Sequence, residues 1–253
     1  MTSAAVPSWQ GVALSILLVG IAVVVAWRQR LGLAREIVIA AVRAGVQLLA
    51  IGAVLLYLFN HTGLAGAFGW LTVMVAIAGQ VAGHRGKGLY RAKAVATASV
   101  ALGAAVTLGV LLAFGVIDTT PRVVIPVGGM VVSGAMQATG VTLARTVDEA
   151  KNARAAIEAR LSLGLSAAAA FAPHRRSLLR TALIPTLDST KVVGLISLPG
   201  AMTGLILAGV SPETAIRYQI VVMYMLLAAA VMAALAAAEL GQRSLFGPAQ
   251  RFR

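Results

Sequence analysis

The chain has 253 residues, of which 59% are hydrophobic and only 11% are charged, and its mean hydropathy is +0.90. This composition is too apolar for a soluble core of that length and is typical of a polytopic helical membrane protein. Cysteine is absent, which excludes disulfides, thiolate metal sites and a cysteine nucleophile. The net charge of +13 would suggest nucleic-acid binding in a soluble protein, so its meaning depends on where the charges lie.

The first apolar run begins without a preceding lysine or arginine. A cleavable signal peptide normally has a basic segment before its apolar core. Here the basic residues follow the run, at Arg28, Arg30 and Arg35. We therefore expect a retained first transmembrane helix whose N-terminus lies outside.

Seven apolar stretches are predicted to cross the membrane, because each is long enough for a hydrocarbon core of about 30 Å. They lie near 9–27, 36–59, 65–83, 94–116, 122–142, 187–209 and 214–239 and make one transmembrane domain of residues 1–253. Lysine and arginine are concentrated in the first, third and fifth connections and in the C-terminal tail. This bias predicts a cytoplasmic C-terminus. The basic charge is therefore topological, and no nucleic-acid partner is expected.

Residues 143–183 form the one long connection, which the charge bias places in the cytoplasm. Thr146 and Glu149 match a capping box and so predict a helix start. Apolar residues then recur from Ile157 to Phe171 at three- and four-residue spacing, which predicts an amphipathic helix. Pro173 is expected to end it or to begin a second short helix. Periodicity alone leaves open whether this helix lies in the lipid interface or docks on a cytoplasmic partner.

The sequence contains no nucleotide-binding P-loop, no His-Glu-x-x-His motif and no Gly-x-Ser-x-Gly motif. The nearest approach to a nucleotide-binding P-loop is Gly86-Lys87, which lacks the upstream glycine. The histidines, His61, His84 and His174, are predicted in loops and are too scattered for a metal cluster. The two halves share no loop pattern, so an inverted-repeat transporter gains no support. We expect a transport subunit rather than an enzyme, with its energy supplied elsewhere.

Charged side chains occur inside two predicted spans. Arg43 and Gln47 share one face of the second span. Arg43 can extend to the cytoplasmic surface, or it can pair with an acid on another span. Asp188 and Lys191 are three residues apart at the start of the sixth span, where they can form a local pair. Alternatively, Asp188 and Arg43 form an intramembrane ion pair that exchanges partners during transport.

Helix breakers and polar groups mark the fifth and sixth spans. Proline removes a backbone donor, so Pro199 marks either a packing kink or a break that faces a pathway. The fifth span is rich in small residues that permit close helix packing, but the amide of Gln137 needs partners inside the bundle. Methionines here could bind soft metals or simply fill space. The candidate pathway residues are Met136, Gln137, Ser197, Pro199, Gly200, Met202 and Thr203.

The stretch IPTLDSTKVVGLISLPGAMTGLILAGVSPETAIRYQIVVMYM, residues 184–225, resembles the hallmark region of FetB-type permeases. These are the membrane subunits of small ABC exporters linked to iron, and they are similar to plant aluminium-tolerance permeases. The resemblance covers nearly the whole chain, including the seven-span layout.

The segment IEARLSLG, residues 157–164, is similar to the coupling motif of ABC permeases, through Glu158, Ala159 and Gly164. In that motif a short cytoplasmic helix sits in a groove of the ATPase, and the glycine permits a turn. Arg160 stands where the motif has alanine, so the match is partial. The resemblance favours docking on an ATPase over the lipid interface.

The resemblance implies a separate ATPase that binds ATP and Mg²⁺, a homodimer of permeases, and a bacterial plasma membrane; this chain would bind no cofactor. It implies export of iron or a related metal, whereas for the plant relatives a sugar nucleotide has been proposed. The family often has asparagines where this chain has Gly134 and Gln137, so its specificity can differ. The alternatives are a gradient-driven transporter or channel and an assembly factor without a pathway.

Overall fold

A computed structural model describes residues 8–247 and residue 251. Within this part of the chain the regular structure is helical, apart from isolated bridge residues such as the pair Val193 and Ser197. The helices are α1 Trp9–Arg28, α2 Ala34–His61, α3 Leu64–Arg85, α4 Ala92–Ala113, α5 Pro121–Asn152, α6 Arg154–Ser162, α7 Ala167–Val192, α8 Gly200–Leu207 and α9 Pro212–Leu245.

Six of these helices, α1 to α5 and α9, are long and apolar enough to cross a membrane. The prediction of an all-helical, polytopic membrane protein is thereby confirmed. Their limits differ from the predicted spans by a few residues, except where α5 and α9 continue well beyond the apolar stretch. The sixth predicted span, residues 187–209, is not one helix.

The core of the molecule is formed by α3, α4, α5 and α9, which pack closely through small residues. A Cβ atom added to Gly103 of α4 would lie 2.8 Å from the Cβ of Ala233 and 2.9 Å from the carbonyl oxygen of Ala229, both on α9. Gly79 meets Thr97 in the same way. Small residues let helix backbones approach within a membrane, where van der Waals packing rather than the hydrophobic effect drives association.

The hairpin of α1 and α2 lies at the edge of this core. Each of the two helices buries a single residue, Ala26 in α1 and Leu58 in α2. Leu58 belongs to the core cluster, so α2 joins the core through its C-terminal end. The remaining apolar surface of the hairpin suits contact with lipid.

Helix α5 does not end with the fifth span predicted near 122–142, and the helix start predicted at Thr146 is wrong. Helix α5 runs on to Asn152, and the Thr146 hydroxyl is buried and donates to the Thr142 carbonyl at 2.8 Å. The physical reason is packing: Leu143, Val147 and Ala150 are buried with Ala237 and Ala238 of α9 in one cluster. A continuous apolar face extends the helix past the membrane-length segment.

Pro173 neither ends nor begins a helix, contrary to prediction. It lies inside α7, whose N-cap is Ser166, with the Ser166 side chain accepting from the Ala169 N–H. Phe171 and Leu178, on either side of the proline, are both buried, so packing outweighs the missing hydrogen bond. The predicted amphipathic helix is divided between α6 and the start of α7, with a turn at Gly164.

The sixth span is broken in two. Helix α7 ends at Val192, residues 193–199 are not helical, and α8 begins at Gly200. The histidines, predicted in loops, lie in helices: His61 ends α2, His84 is in the last turn of α3, and His174 is inside α7.

Candidate transport pathway

The break at 193–199 is a compact, defined turn. Gly194 adopts φ +81°, a left-handed conformation that favours glycine. Its N–H donates to the Ser197 carbonyl at 2.9 Å. Pro199 then adopts an extended conformation as the N-cap of α8, and its carbonyl accepts from both the N–H and the hydroxyl of Thr203, at 3.0 and 3.1 Å. The Pro-Gly pair therefore restarts the helix.

A cavity of about 680 Å³ lies between α5, α7 and α9. Its polar lining comes from Ser133 and Gln137 of α5 and from Thr186, Ser189 and Thr190 of α7. Ser189 and Thr190 donate their hydroxyl protons to the Thr186 carbonyl, at 2.9 and 2.8 Å. Hydroxyls that bond to their own helix in this way need no partner on another helix. Polar groups can thus line a space between apolar helices.

A second cavity of about 420 Å³ lies beside the break. Pro199, Met202 and Gln219 line it, and it shares Thr190 and Met223 with the larger cavity. The two cavities are therefore neighbours along α7 and α9. Together they form what we call the α7–α9 track, a set of spaces bordered by the helix break at one end and by Gln137 at the other.

Gln219 of α9 is the most buried of the polar residues of this track that were not predicted from the sequence. Its side chain is only 5% exposed, and its Oε1 accepts from the Met202 N–H at 3.3 Å. The signal was available: an amide in the apolar stretch 214–239 needs a partner, by the same reasoning that singled out Gln137.

The predicted pathway residues fall in different places. Gln137 lines the larger cavity, and its Nε2 donates to Ser133 Oγ at 3.5 Å. Pro199 and Met202 line the smaller one. Met136 packs against the hydrophobic core instead. The remaining members, Ser197, Gly200 and Thr203, lie in the break or in the first turn of α8.

Arg43 and Asp188 are not brought together. Asp188 accepts from Lys191 Nζ at 3.2 Å, and both side chains are exposed, which is the local pair of the two alternatives. Arg43 is exposed on α2 and has no hydrogen bond or ion pair within residues 8–247. The exchange of partners stays a prediction about another state of the protein. No cluster of three or more metal-ligating His, Asp or Glu residues occurs among the residues that the structure describes.

Helix α6, in the connection predicted to be cytoplasmic, is buried on one side and exposed on the other. Ile157 is fully buried, and Arg160 Nη1 donates to the Ala170 carbonyl of α7 at 3.2 Å. Glu158 is exposed and pairs only with Arg154 of its own helix, at 2.8 Å. Ala159 and Gly164 are also exposed, and Gly164 adopts φ +86°. The predicted coupling residues therefore lie at accessible positions on α6 and in the turn that follows it.

Ion pairs join the helices next to α6. Glu239 of α9 pairs with Arg175 of α7 and with Arg243 of its own helix. His174 of α7 contacts Glu149 of α5, with 2.8 Å between His174 Nδ1 and Glu149 Oε1. These contacts connect α5, α7 and α9 at one end of the α7–α9 track. Sequence spacing carried no signal for the contacts between different helices, Arg175 with Glu239 and His174 with Glu149, because these partners are far apart in the chain.

Comparison with known proteins gives one family. The profile of an uncharacterised protein family, UPF0014, matches residues 9–246. The chain is 42% identical over 217 residues to UPF0014 membrane protein STAR2 of Oryza sativa subsp. japonica, covering 86% of this chain and 76% of that protein. It is 38% identical over 245 residues to Protein ALUMINUM SENSITIVE 3 of Arabidopsis thaliana, covering 95% and 88%.

A bacterial relative is similar over almost the whole length. The chain is 35% identical over 237 residues to Probable iron export permease protein FetB of Escherichia coli (strain K12), covering 94% of this chain and 92% of that protein. No solved structure gives a significant match. The resemblance identified in residues 184–225 is confirmed.

Proposed function

The chain belongs to the UPF0014 family of membrane proteins, and from this premise we propose that it is the membrane-spanning permease subunit of an ATP-driven exporter. The observation that carries the proposal is the α7–α9 track, where two cavities meet at a broken helix. Non-helical backbone at membrane depth is tolerated where it lines a cavity or is buried in protein. A lipid-facing packing helix has no need of such a break.

The proposed route runs along the α7–α9 track, with Gln137, Thr190 and Gln219 as its polar points. The cargo we propose is iron or a related metal, by analogy with the printed name of the Escherichia coli relative. The chain itself would bind no cofactor and carry out no catalysis.

The proposed partner is a cytoplasmic ATPase that binds ATP and Mg²⁺. Its docking site would be the exposed positions Glu158 and Ala159 of α6 together with Gly164 in the turn that follows. The anchoring of α6 by Ile157 and by Arg160 supports this role, because a docking helix has to transmit force to the rest of the protein. We further propose a homodimer of permeases in a bacterial plasma membrane.

The test is to purify the tagged protein from its native membranes in mild detergent and to identify stoichiometric partners. We expect an ATPase with a P-loop. Gly164→Trp should release it, because a bulky residue would obstruct the docking turn and strain a positive φ. Gly115→Trp is the matched control, since Gly115 also has a positive φ (+62°) and open space but lies in the connection predicted outside.

Retention of the ATPase by Gly164→Trp would contradict the docking site. If no ATPase accompanies the unmodified protein under conditions that preserve other complexes, the exporter proposal fails. Gradient-driven flux in liposomes without ATPase would then support the alternative. Stimulation of ATP hydrolysis by ferrous or ferric iron in the reconstituted complex tests the cargo.

A further inference from the structure

Gln219 occupies an unusual position on α9. The buried residues around it, Ala215, Val222 and Met225, recur at helical spacing and are all apolar. A buried amide is costly unless it is hydrogen-bonded, so a polar side chain on this face requires a specific partner. That partner is the Met202 N–H of α8.

The contact supplies what the start of α8 lacks. The first N–H groups of any helix have no partner within the helix. The N-cap of α8 is Pro199, which offers no side-chain hydrogen bond. Gln219 therefore caps α8 from another helix. Because a backbone N–H can only donate, the amide oxygen must be the atom that faces Met202.

We propose that Gln219 is a positioning residue, which holds the first turn of α8 against α9 and so fixes the break that borders the track. Since α8 is short, with eight residues, it depends strongly on such an external contact. When the contact opens, the first turn of α8 is free to move away from α9, and the smaller cavity changes shape. The effect on transport rests on the proposed function, whereas the positioning of α8 does not.

The first arm of the test measures deuterium labelling of the backbone N–H groups of α8 by mass spectrometry, with the protein in detergent. The Met202 N–H exchanges only when its hydrogen bond to Gln219 Oε1 opens, so its labelling reports directly on the contact. Gln219→Met should raise the rate of labelling on the order of fivefold, the effect of losing one hydrogen bond. Gln219→Glu keeps the acceptor and should label at the original rate. Gln137→Met makes the same chemical change in the other cavity and should leave labelling unchanged.

The second arm measures ferrous-iron-stimulated ATP hydrolysis by the reconstituted complex. We expect Gln219→Met to lower the stimulated rate and Gln219→Glu to restore it, with the thermal unfolding midpoint of each variant recorded alongside. Unchanged labelling in Gln219→Met would overturn the positioning role. Raised labelling with normal stimulation, or restored labelling without restored stimulation, would overturn its link to transport. If iron stimulates nothing even in the unmodified complex, the cargo proposal fails while the labelling result still decides the positioning.

Discussion

At the scale of single residues, two kinds of residue make the contacts that matter most in this protein. One is a glycine without a side chain, and the other is a polar side chain in an otherwise apolar helix. Gly103 permits α4 and α9 to touch, and Gln219 holds a helix end that cannot cap itself. Both lie in stretches that hydropathy alone treats as uniform. Their roles follow from the neighbour that each one meets.

Gly103→Ala should destabilise the protein by about 1–3 kcal/mol, because overpacking forces adjacent backbones apart. The added Cβ would lie within 3 Å of two atoms of α9. Thermal unfolding in detergent measures the effect. Gly109→Ala, in the same helix with open space around it, should be neutral or slightly stabilising, since alanine favours helix. Equal midpoints for the two variants would contradict the close packing of α4 on α9.

At the scale of elements, local rules and tertiary packing compete at the broken span, at the C-terminal end of α5 and in the N-terminal half of α7. Hydropathy located the long helices because membrane-length apolar runs are a local property. The turn at 193–199 was also partly predictable, from Pro199 and Gly200. The continuation of α5 past Thr146 and of α7 through Pro173 was not, because it depends on buried contacts with residues distant in sequence. The Arg43–Asp188 pair needed knowledge of helix placement that spacing does not contain.

Gly194→Ala should destabilise the break by about 1–2 kcal/mol, the usual cost of a left-handed conformation for a residue with a Cβ. Gly194 has φ +81° and open space, so the cost comes from the backbone and not from a clash. Deuterium labelling of the backbone N–H of residue 194, which donates to the Ser197 carbonyl, would report a loosened turn. Gly204→Ala is the control, because Gly204 is helical and equally unobstructed. Identical labelling in the two variants would argue against strain at Gly194.

The contact between Arg175 and Glu239 should contribute no more than about 1 kcal/mol to stability, because both side chains are partly exposed. A double-mutant cycle with Arg175→Met and Glu239→Gln isolates the coupling. The coupling should fall as salt concentration rises, since exposed charges are screened. A larger coupling that is independent of salt would show that the pair is more shielded than its exposure indicates.

At the scale of the whole molecule, the part of the chain that the structure describes contains six membrane-length helices and a broken seventh segment. The alternation of basic and non-basic connections predicts how these helices are oriented in the membrane. The lipid-facing hairpin of α1 and α2 and the compact core of four helices differ in how much they bury. The part of the molecule with the α7–α9 track borders the core rather than the hairpin.

Orientation can be tested with single cysteines in this cysteine-free chain. An impermeant maleimide should label Thr119→Cys in intact cells, because the connection between α4 and α5 is predicted outside. Leu163→Cys, at a position 80% exposed beside α6, should be labelled only after the cells are permeabilised. The reverse pattern would invert the predicted topology and would place α6 away from any cytoplasmic ATPase.

The unbroken length of α9 has a mechanical consequence. Gln219 and Glu239 lie on the same helix, and at 1.5 Å per residue they are separated by about 30 Å. Residues 213–240 contain neither proline nor glycine, so this stretch behaves as a stiff lever with α7 attached near one end and α8 near the other. A tilt of about 10° over that length would displace the far end by about 5 Å, roughly one helical turn. A small rotation at the Glu239 end of α9 is thereby converted into a large displacement at the break.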